Sequence, residues 1–172
     1  MSSLISNSES WIGLTKKNIT DLETVDEQLL RKILSAHSKT PKELMYLELG
    51  ALPVRFILMS RRINFLWYLI NDKEGSLLKR FFKAQCDQPI RGDWVSTVNQ
   101  DLIELDINLS FEEIERISKD AFKELVKKNV KKCALDYLKK LQQTHSKARN
   151  LPYELDLQMY LKSGTNKMTI KV

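Results

Sequence analysis

One segment, residues 54–70, limits the possible folds of this chain more than any other part of the sequence. It follows Pro53, and its eleven apolar residues fall at every angle around a helix axis. A helix that is apolar all round is buried on most sides, and this one is shorter than the roughly 18 apolar residues of a membrane span. We therefore predict that residues 54–70 form a buried central helix with the other elements packed around it.

Three arginines interrupt this apolar segment: Arg55, Arg61 and Arg62. Buried guanidinium groups are costly unless they are paired. We therefore expect these arginines either to contact carboxylates, with Glu43 and Glu48 as candidates, or to point at an external anion.

The rest of the sequence also favours helices. Only five Gly and four Pro occur in 172 residues, and Leu, Lys, Ile and Glu are abundant, which is typical of long helices joined by short turns. The predicted fold class is all-α, an irregular array of about six to eight helices. Helix-start signals are Thr15, a Thr40–Glu43 capping box with Pro41 as first helical residue, Asp93, a Ser110–Glu113 capping box, and Ser118.

The helix predicted for residues 74–86 should bury one side and expose the other. Leu77, Leu78, Phe81 and Phe82 lie on the predicted inner side, and Lys79, Arg80 and Lys83 on the outer side.

Residues 119–146 carry the clearest helical pattern. Residues 119–149 hold ten Lys/Arg against three Asp/Glu, a local charge of +7 that leaves −1 for the rest of the chain. Apolar residues at three- and four-residue steps predict one inner stripe, with lysines on the opposite side. The stripe is Phe122, Val126, Val130, Cys133, Tyr137 and Leu141, and the opposing lysines are Lys128, Lys131, Lys132 and Lys139.

The predicted organisation has three parts. Residues 1–14 form an N-terminal remnant, residues 15–150 form a helical domain, and residues 151–172 form a short helix and a frayed tail. The helical domain is either one unit or two subdomains, 15–87 and 93–150, because residues 87–93 have the Pro and Gly of a turn.

Catalytic and cofactor sites are not indicated by the sequence. Cys86 and Cys133 lack a His at zinc-ligand spacing, His37 and His145 stand in polar surroundings, and neither an Asp-Asp step nor a glycine-rich phosphate loop occurs. We therefore predict no catalytic residue, no metal and no cofactor. The two cysteines suit a reducing compartment, and residues 1–11 lack the pattern of a signal peptide. The expected location is intracellular, in the nucleus or cytoplasm, without a membrane partner.

The lysine face of residues 119–146 has two interpretations. Basic side chains in a row release counterions when they meet nucleic-acid phosphates, whereas lysines on a helix can also be simply a solvated face. The aromatic residues Phe65, Trp67 and Tyr68 fit a core better than a base-stacking platform. The candidate nucleic-acid-binding residues are Lys128, Lys131, Lys132 and Lys139, with Arg80, Lys83 and Arg91 as a second group.

Several stretches together resemble the region that follows the polymerase domain in non-LTR, LINE/jockey-like retrotransposon reverse transcriptases. The resemblance covers residues 9–163. Its matching stretches are residues 9–11 (ESW), 22–34 (LETVDEQLLRKIL), 40–43 (TPKE), 46–50 (YLELG), 53–57 (PVRFI), 61–66 (RRINFL), 83–85 (KAQ), 92–94 (GDW) and 145–147 (HSK).

The resemblance implies a supporting role in nucleic-acid handling beside a polymerase domain that is missing here. The Tyr/Phe-x-Asp-Asp signature of the family's palm is absent, and the sequence ends at Val172, where relatives continue into a Cys/His-rich segment. A truncated, non-catalytic fragment is therefore expected, with nucleic acid and the polymerase domain of the parent protein as its partners. The alternatives are a helical protein–protein interaction module that docks the apolar stripe of its last helix, and a non-functional remnant of a decayed mobile element.

Overall fold

The computed structural model describes residues 5–144, which form seven α-helices and one 3-10 turn and contain no strand. The predicted all-α class is thus confirmed. The predicted short helix and tail at 151–172 lie outside these residues. The helices are α1 (Lys16–Leu34), α2 (Lys42–Leu49), α3 (Val54–Ile70), α4 (Leu77–Asp87), α5 (Trp94–Glu104), α6 (Phe111–Arg116) and α7 (Lys119–Gln143), and the 3-10 turn is Ser8–Ser10.

Side-chain caps fix most helix starts where the sequence predicts them. The Thr15 hydroxyl accepts from the backbone N–H of Asn18 at 3.2 Å, and the side-chain oxygen of Asn18 accepts from the backbone N–H of Thr15 at 2.9 Å. Ser110 and Glu113 form the same reciprocal pair at 3.2 and 2.7 Å. Each box satisfies backbone donors that the first turn of a helix leaves free.

The predicted capping box at the start of α2 is wrong. Pro41 occupies the N-cap position itself, and no side chain there accepts a hydrogen bond from the helix. Glu43 is instead buried on the inner side of α2.

The central helix is α3, as predicted. It packs against α1, α4, α5, α6, α7 and the 3-10 turn, and Val54, Leu58, Ile63 and Leu66 have no exposed surface. One hydrophobic cluster runs from α1 and α2 through α3 to α7. The core therefore spans both of the subdomains that the sequence left as an alternative.

The segment before Thr15 also takes part in the packing. Ile5 is buried against Val54 and Leu58, and the indole N–H of Trp94 donates to the carbonyl of Glu9 at 2.7 Å. Residues 5–14 thus cover one side of α3, although the sequence set them apart as a remnant.

The orientation of α4 differs from the prediction. Ser76 caps the helix, so that α4 begins at Leu77, and Phe82 is buried. Lys79, expected outside, is only 6% exposed, and its ammonium group donates to the carbonyl of Ile70 at the end of α3. Leu77, Leu78 and Phe81, expected inside, are 66%, 55% and 61% exposed. The apolar side chains of α4 cover a wider part of the helix surface than the part that packs on α3. Lys79 lies on the packed side because its ammonium group can bond a carbonyl that the end of α3 leaves without a helical partner.

The inner side of α7 follows the prediction only in its first half. Phe122, Val126 and Val130 are buried, but the buried row then continues at four-residue steps through Ala134 and Leu138. The predicted Cys133, Tyr137 and Leu141 are half-buried beside it. Residues at four-residue spacing form a ridge that is inclined to the helix axis. Such a ridge fits between the side chains of a neighbouring helix when the two helices cross at an angle.

Candidate nucleic-acid interface

The start of α7 is fixed by contacts to the end of α3. The indole N–H of Trp67 donates to the carbonyl of Ile117 at 2.9 Å, and the Ser118 hydroxyl accepts from the N–H of Ala121 at 3.4 Å as N-cap. At the other end, the rings of Phe56 and Tyr137 meet edge to face at 5.7 Å. Because Phe56 lies near the start of α3 and Tyr137 near the end of α7, the two helices run antiparallel, with one side of α7 left to solvent.

The charge on α7 is strongly one-signed. Its 25 residues include eight lysines and three acids, a net charge of +5. Six of these lysines are exposed, and Lys119 and Lys139 are half-buried. The outer side of α7 is therefore a basic surface about 36 Å long, at 1.5 Å per residue.

Five of these lysines form what we call the lysine row, in which residues recur at four-residue steps next to the buried row. Successive positions rise by about 6 Å along the helix. Two members of the row are among the candidates predicted from the sequence and three are not, although the four-residue spacing is visible in the sequence. The members are Lys119, Lys123, Lys127, Lys131 and Lys139, with Leu135 between the last two.

The other two lysines selected from the sequence, Lys128 and Lys132, lie on the adjacent row and are exposed. Lys132 contacts Asp106 at 3.0 Å, and this contact raises the pKa of the lysine. Lys139 lies 4.0 Å from Asp136. Solvent-exposed ion pairs contribute only about 0–1 kcal/mol each, so a phosphate can compete for these ammonium groups.

The second predicted group is carried by other elements. Arg80 and Lys83 are exposed on α4, and Arg91 is exposed in the turn before α5. Lys83 donates to Glu74 at 2.8 Å, which raises the pKa of Lys83. Helices α4 and α5 pack on α3 and on each other, whereas α7 packs on α3 and α2. Arg80, Lys83 and Arg91 therefore lie on or next to helices that pack mainly against α3 and each other, apart from the lysine row.

The arginines of α3 do find carboxylates, but not the predicted ones. Arg62 binds Asp101 through two hydrogen bonds of 2.6 and 3.0 Å, and both side chains are buried. Arg55 binds Glu23 on α1 at 2.6 Å. The prediction of Glu43 and Glu48 as partners is wrong because those carboxylates belong to α2, whereas α1 and α5 bring Glu23 and Asp101 against α3.

Arg61 has no carboxylate among these contacts and instead donates to the backbone carbonyl of Ile5, with the Ser8 hydroxyl at 3.5 Å. Arg55 and Arg62 also line a cleft of about 440 Å³ between Trp11 and α5. Arg91 also lines this cleft, but Arg55 and Arg62 are already paired with Glu23 and Asp101. The external-anion interpretation of the three arginines gains no support.

The residue types that most often carry catalysis or bind metal can be followed within residues 5–144. Within residues 5–144 no three His, Cys, Asp or Glu side chains are placed to hold a metal ion. Burial raises the pKa of both thiols, Cys86 and Cys133, which leaves them less nucleophilic. His37 is exposed and accepts a hydrogen bond from the backbone of Lys39 at 3.1 Å, while His145 lies outside the residues described.

Comparison with known proteins identified no relative: no family model matches this chain, no curated protein matches its sequence, and no solved structure matches it. Across residues 5–144, every helix is too short or too polar to cross a lipid bilayer.

Proposed function

We propose that this chain contacts the sugar–phosphate backbone of nucleic acid through the outer side of α7, as a non-catalytic support for a non-LTR retrotransposon reverse transcriptase. The observation that carries the proposal is the net charge of +5 on a helix whose inner rows are buried in the core. The link to a reverse transcriptase rests on the resemblance of the sequence stretches alone.

The chemistry of lysine defines what such a surface can recognise. An ammonium group on a flexible stem acts as a point charge toward phosphate and lacks the planar fork with which arginine reads a guanine edge. Phosphate contacts position a protein on its nucleic acid without reading sequence. The proposed binding is therefore sequence-independent and strongly dependent on salt.

A protein-interaction role has a different structural basis from the one the sequence suggested. The apolar row of α7 is covered by α3 and α2, so it is not free to dock a partner. The exposed apolar side of α4, formed by Leu77, Leu78 and Phe81, favours this second candidate. An exposed patch of this kind is also what a decayed fragment would show after loss of a neighbour.

The first test measures affinity for single-stranded RNA and for duplex DNA by fluorescence anisotropy between 50 and 300 mM KCl. One variant replaces Lys128, Lys131, Lys132 and Lys139 with Gln. A matched control makes the same change in charge elsewhere, at four exposed lysines on and just after α1: Lys16, Lys17, Lys32 and Lys39.

The expected result is a steep salt dependence in the wild type that becomes shallower only in the α7 variant. Each lost phosphate contact reduces the slope of log K against log salt by about 0.9 on duplex DNA and about 0.7 on a single strand. Equal losses in the two variants would mean that net charge alone attracts nucleic acid. Absence of binding at 50 mM KCl would refute the proposal and leave the α4 surface as the remaining candidate.

A further inference from the structure

Tyr68 is an exposed aromatic residue on the central helix. The sequence favoured a core position for it, yet it is 44% exposed, whereas the neighbouring Leu69 and Ile70 are buried. It lies near the C-terminal end of α3, where α7 begins. An exposed ring on a helix that is otherwise buried calls for a physical account.

The ring of Tyr68 is held in place by its neighbours. Trp67 meets it at right angles, with 5.6 Å between ring centroids and an interplanar angle of 87°. The ammonium group of Lys119 lies 4.6 Å from the centre of the Tyr68 ring. The ammonium group of Lys119 beside the Tyr68 hydroxyl, together with the charge of Lys123, lowers the pKa of that hydroxyl. The ring thus lies beside Lys119 and Lys123, the first two members of the lysine row.

We propose that Tyr68 is a base-stacking platform and that the lysine row takes single-stranded nucleic acid, with one base resting on this ring while the lysines follow the backbone. This inference rests on the proposed function, since it names the class of nucleic acid that the same surface would prefer. Positively charged grooves combined with aromatic side chains are the usual basis of sequence-independent single-strand binding.

The preference for a single strand follows from access to the bases. In a duplex the bases are stacked inside the helix, so an external ring meets only the backbone. In a single strand an unpaired base can lie on an aromatic side chain. A ring already fixed by Trp67 and Lys119 loses little conformational entropy when a base stacks on it.

The test compares a 20-nucleotide oligo(U) and a 20-base-pair duplex with three variants. Tyr68→Leu removes the ring, Tyr68→Phe keeps it without the hydroxyl, and Phe81→Leu is the matched control, because Phe81 is an exposed aromatic residue on another helix. The affinity and its salt slope are measured for the wild type and each variant with each of the two probes, and thermal unfolding confirms that each variant remains folded.

The expected result is a loss of roughly 5- to 150-fold in oligo(U) affinity for Tyr68→Leu, since stacking contributes about 1–3 kcal/mol per base and about 1.4 kcal/mol corresponds to tenfold. The salt slope and the duplex affinity should stay unchanged, and Tyr68→Phe and Phe81→Leu should bind like the wild type.

Unchanged oligo(U) affinity in Tyr68→Leu, with the salt slope intact, would overturn the stacking role and leave the lysine row standing. Equal losses on oligo(U) and duplex would overturn it too, because a stacking ring should discriminate between them. If the wild type binds neither probe, both proposals fail.

Discussion

The ion pair between Arg62 and Asp101 offers the sharpest test of how this core is held together. It joins the middle of α3 to α5, both side chains are almost fully buried, and the two hydrogen bonds measure 2.6 and 3.0 Å. Three variants probe it: Arg62→Met, Asp101→Leu, and the two changes combined.

The magnitudes follow from desolvation. Removing one member of a buried pair leaves the other charge without a partner in an apolar surrounding, which costs about 3–5 kcal/mol. A domain of this kind has a free energy of unfolding of about 5–15 kcal/mol, so either single change should remove a large part of it. The double variant leaves no buried charge and fills similar volume, and its stability should return to within about 1 kcal/mol of the wild type or exceed it.

Urea unfolding followed by circular dichroism at 222 nm gives these values. Arg80→Met is the matched control, because Arg80 is exposed on α4, and such a surface change should alter the free energy of unfolding by no more than about 0.5 kcal/mol. Single-variant losses below about 1 kcal/mol, or a double variant as unstable as the worse single variant, would contradict the reasoning.

Three further predictions concern other buried groups, each measured by urea unfolding. Phe82→Ala should cost about 3–5 kcal/mol because Phe82 is buried, and Phe81→Ala no more than about 0.5 kcal/mol because Phe81 is exposed; equal losses would refute the orientation of α4. Lys79→Met should cost about 1 kcal/mol, because its ammonium group bonds a carbonyl at the C-terminal end of α3; no loss would contradict this role. Burial raises the pKa of Asp26 above its ordinary value of 3.8, so the folded state binds that proton more tightly than the unfolded state. As the pH falls from 8 toward 4, the wild type should therefore gain stability relative to Asp26→Asn, whose amide oxygen can still accept from Tyr46; a difference independent of pH would count against it.

The features that the sequence predicted are those set by local chemistry. The bounds of α3 follow from Pro53 and the largely apolar segment after it, and the caps at Thr15, Ser110 and Ser118 depend on residues within one turn. A short side chain that bonds a backbone N–H three residues later needs no knowledge of the rest of the fold. Such signals can therefore be read before the packing is known.

The features that the sequence missed depend on which surface meets which helix. The apolar arc of α4 predicted Phe81 and Phe82 on one buried side, but the contact of α4 with α3 covers only the side that carries Phe82 and Lys79. Likewise, nothing in the spacing of Arg62 and Asp101, 39 residues apart, predicts their pairing. These are long-range outcomes, and a single sequence does not encode them in its periodicity.

The candidate surface on α7 was predictable from the sequence only in part. Lysines on the outer side of α7 were predictable from the helical period, but the presence of Tyr68 at the start of the lysine row was not. It depends on the hydrogen bond between Trp67 and the carbonyl of Ile117, which sets where α7 begins relative to α3. Only the packed structure brings the aromatic ring and Lys119 together.

The proposed binding surface on α7 differs from the surface of α1 in the balance of its charges. Helix α1 is also amphipathic and solvent-exposed, yet it carries four basic and four acidic residues. Like charges four residues apart destabilise a helix by roughly 0.2–0.5 kcal/mol per pair, whereas opposite charges at that spacing stabilise it. The lysine row places Lys119, Lys123, Lys127 and Lys131 at consecutive four-residue steps. The excess of lysine on α7 is the charge pattern that the proposed phosphate contacts require, and the mixed charges of α1 make its lysines the matched control.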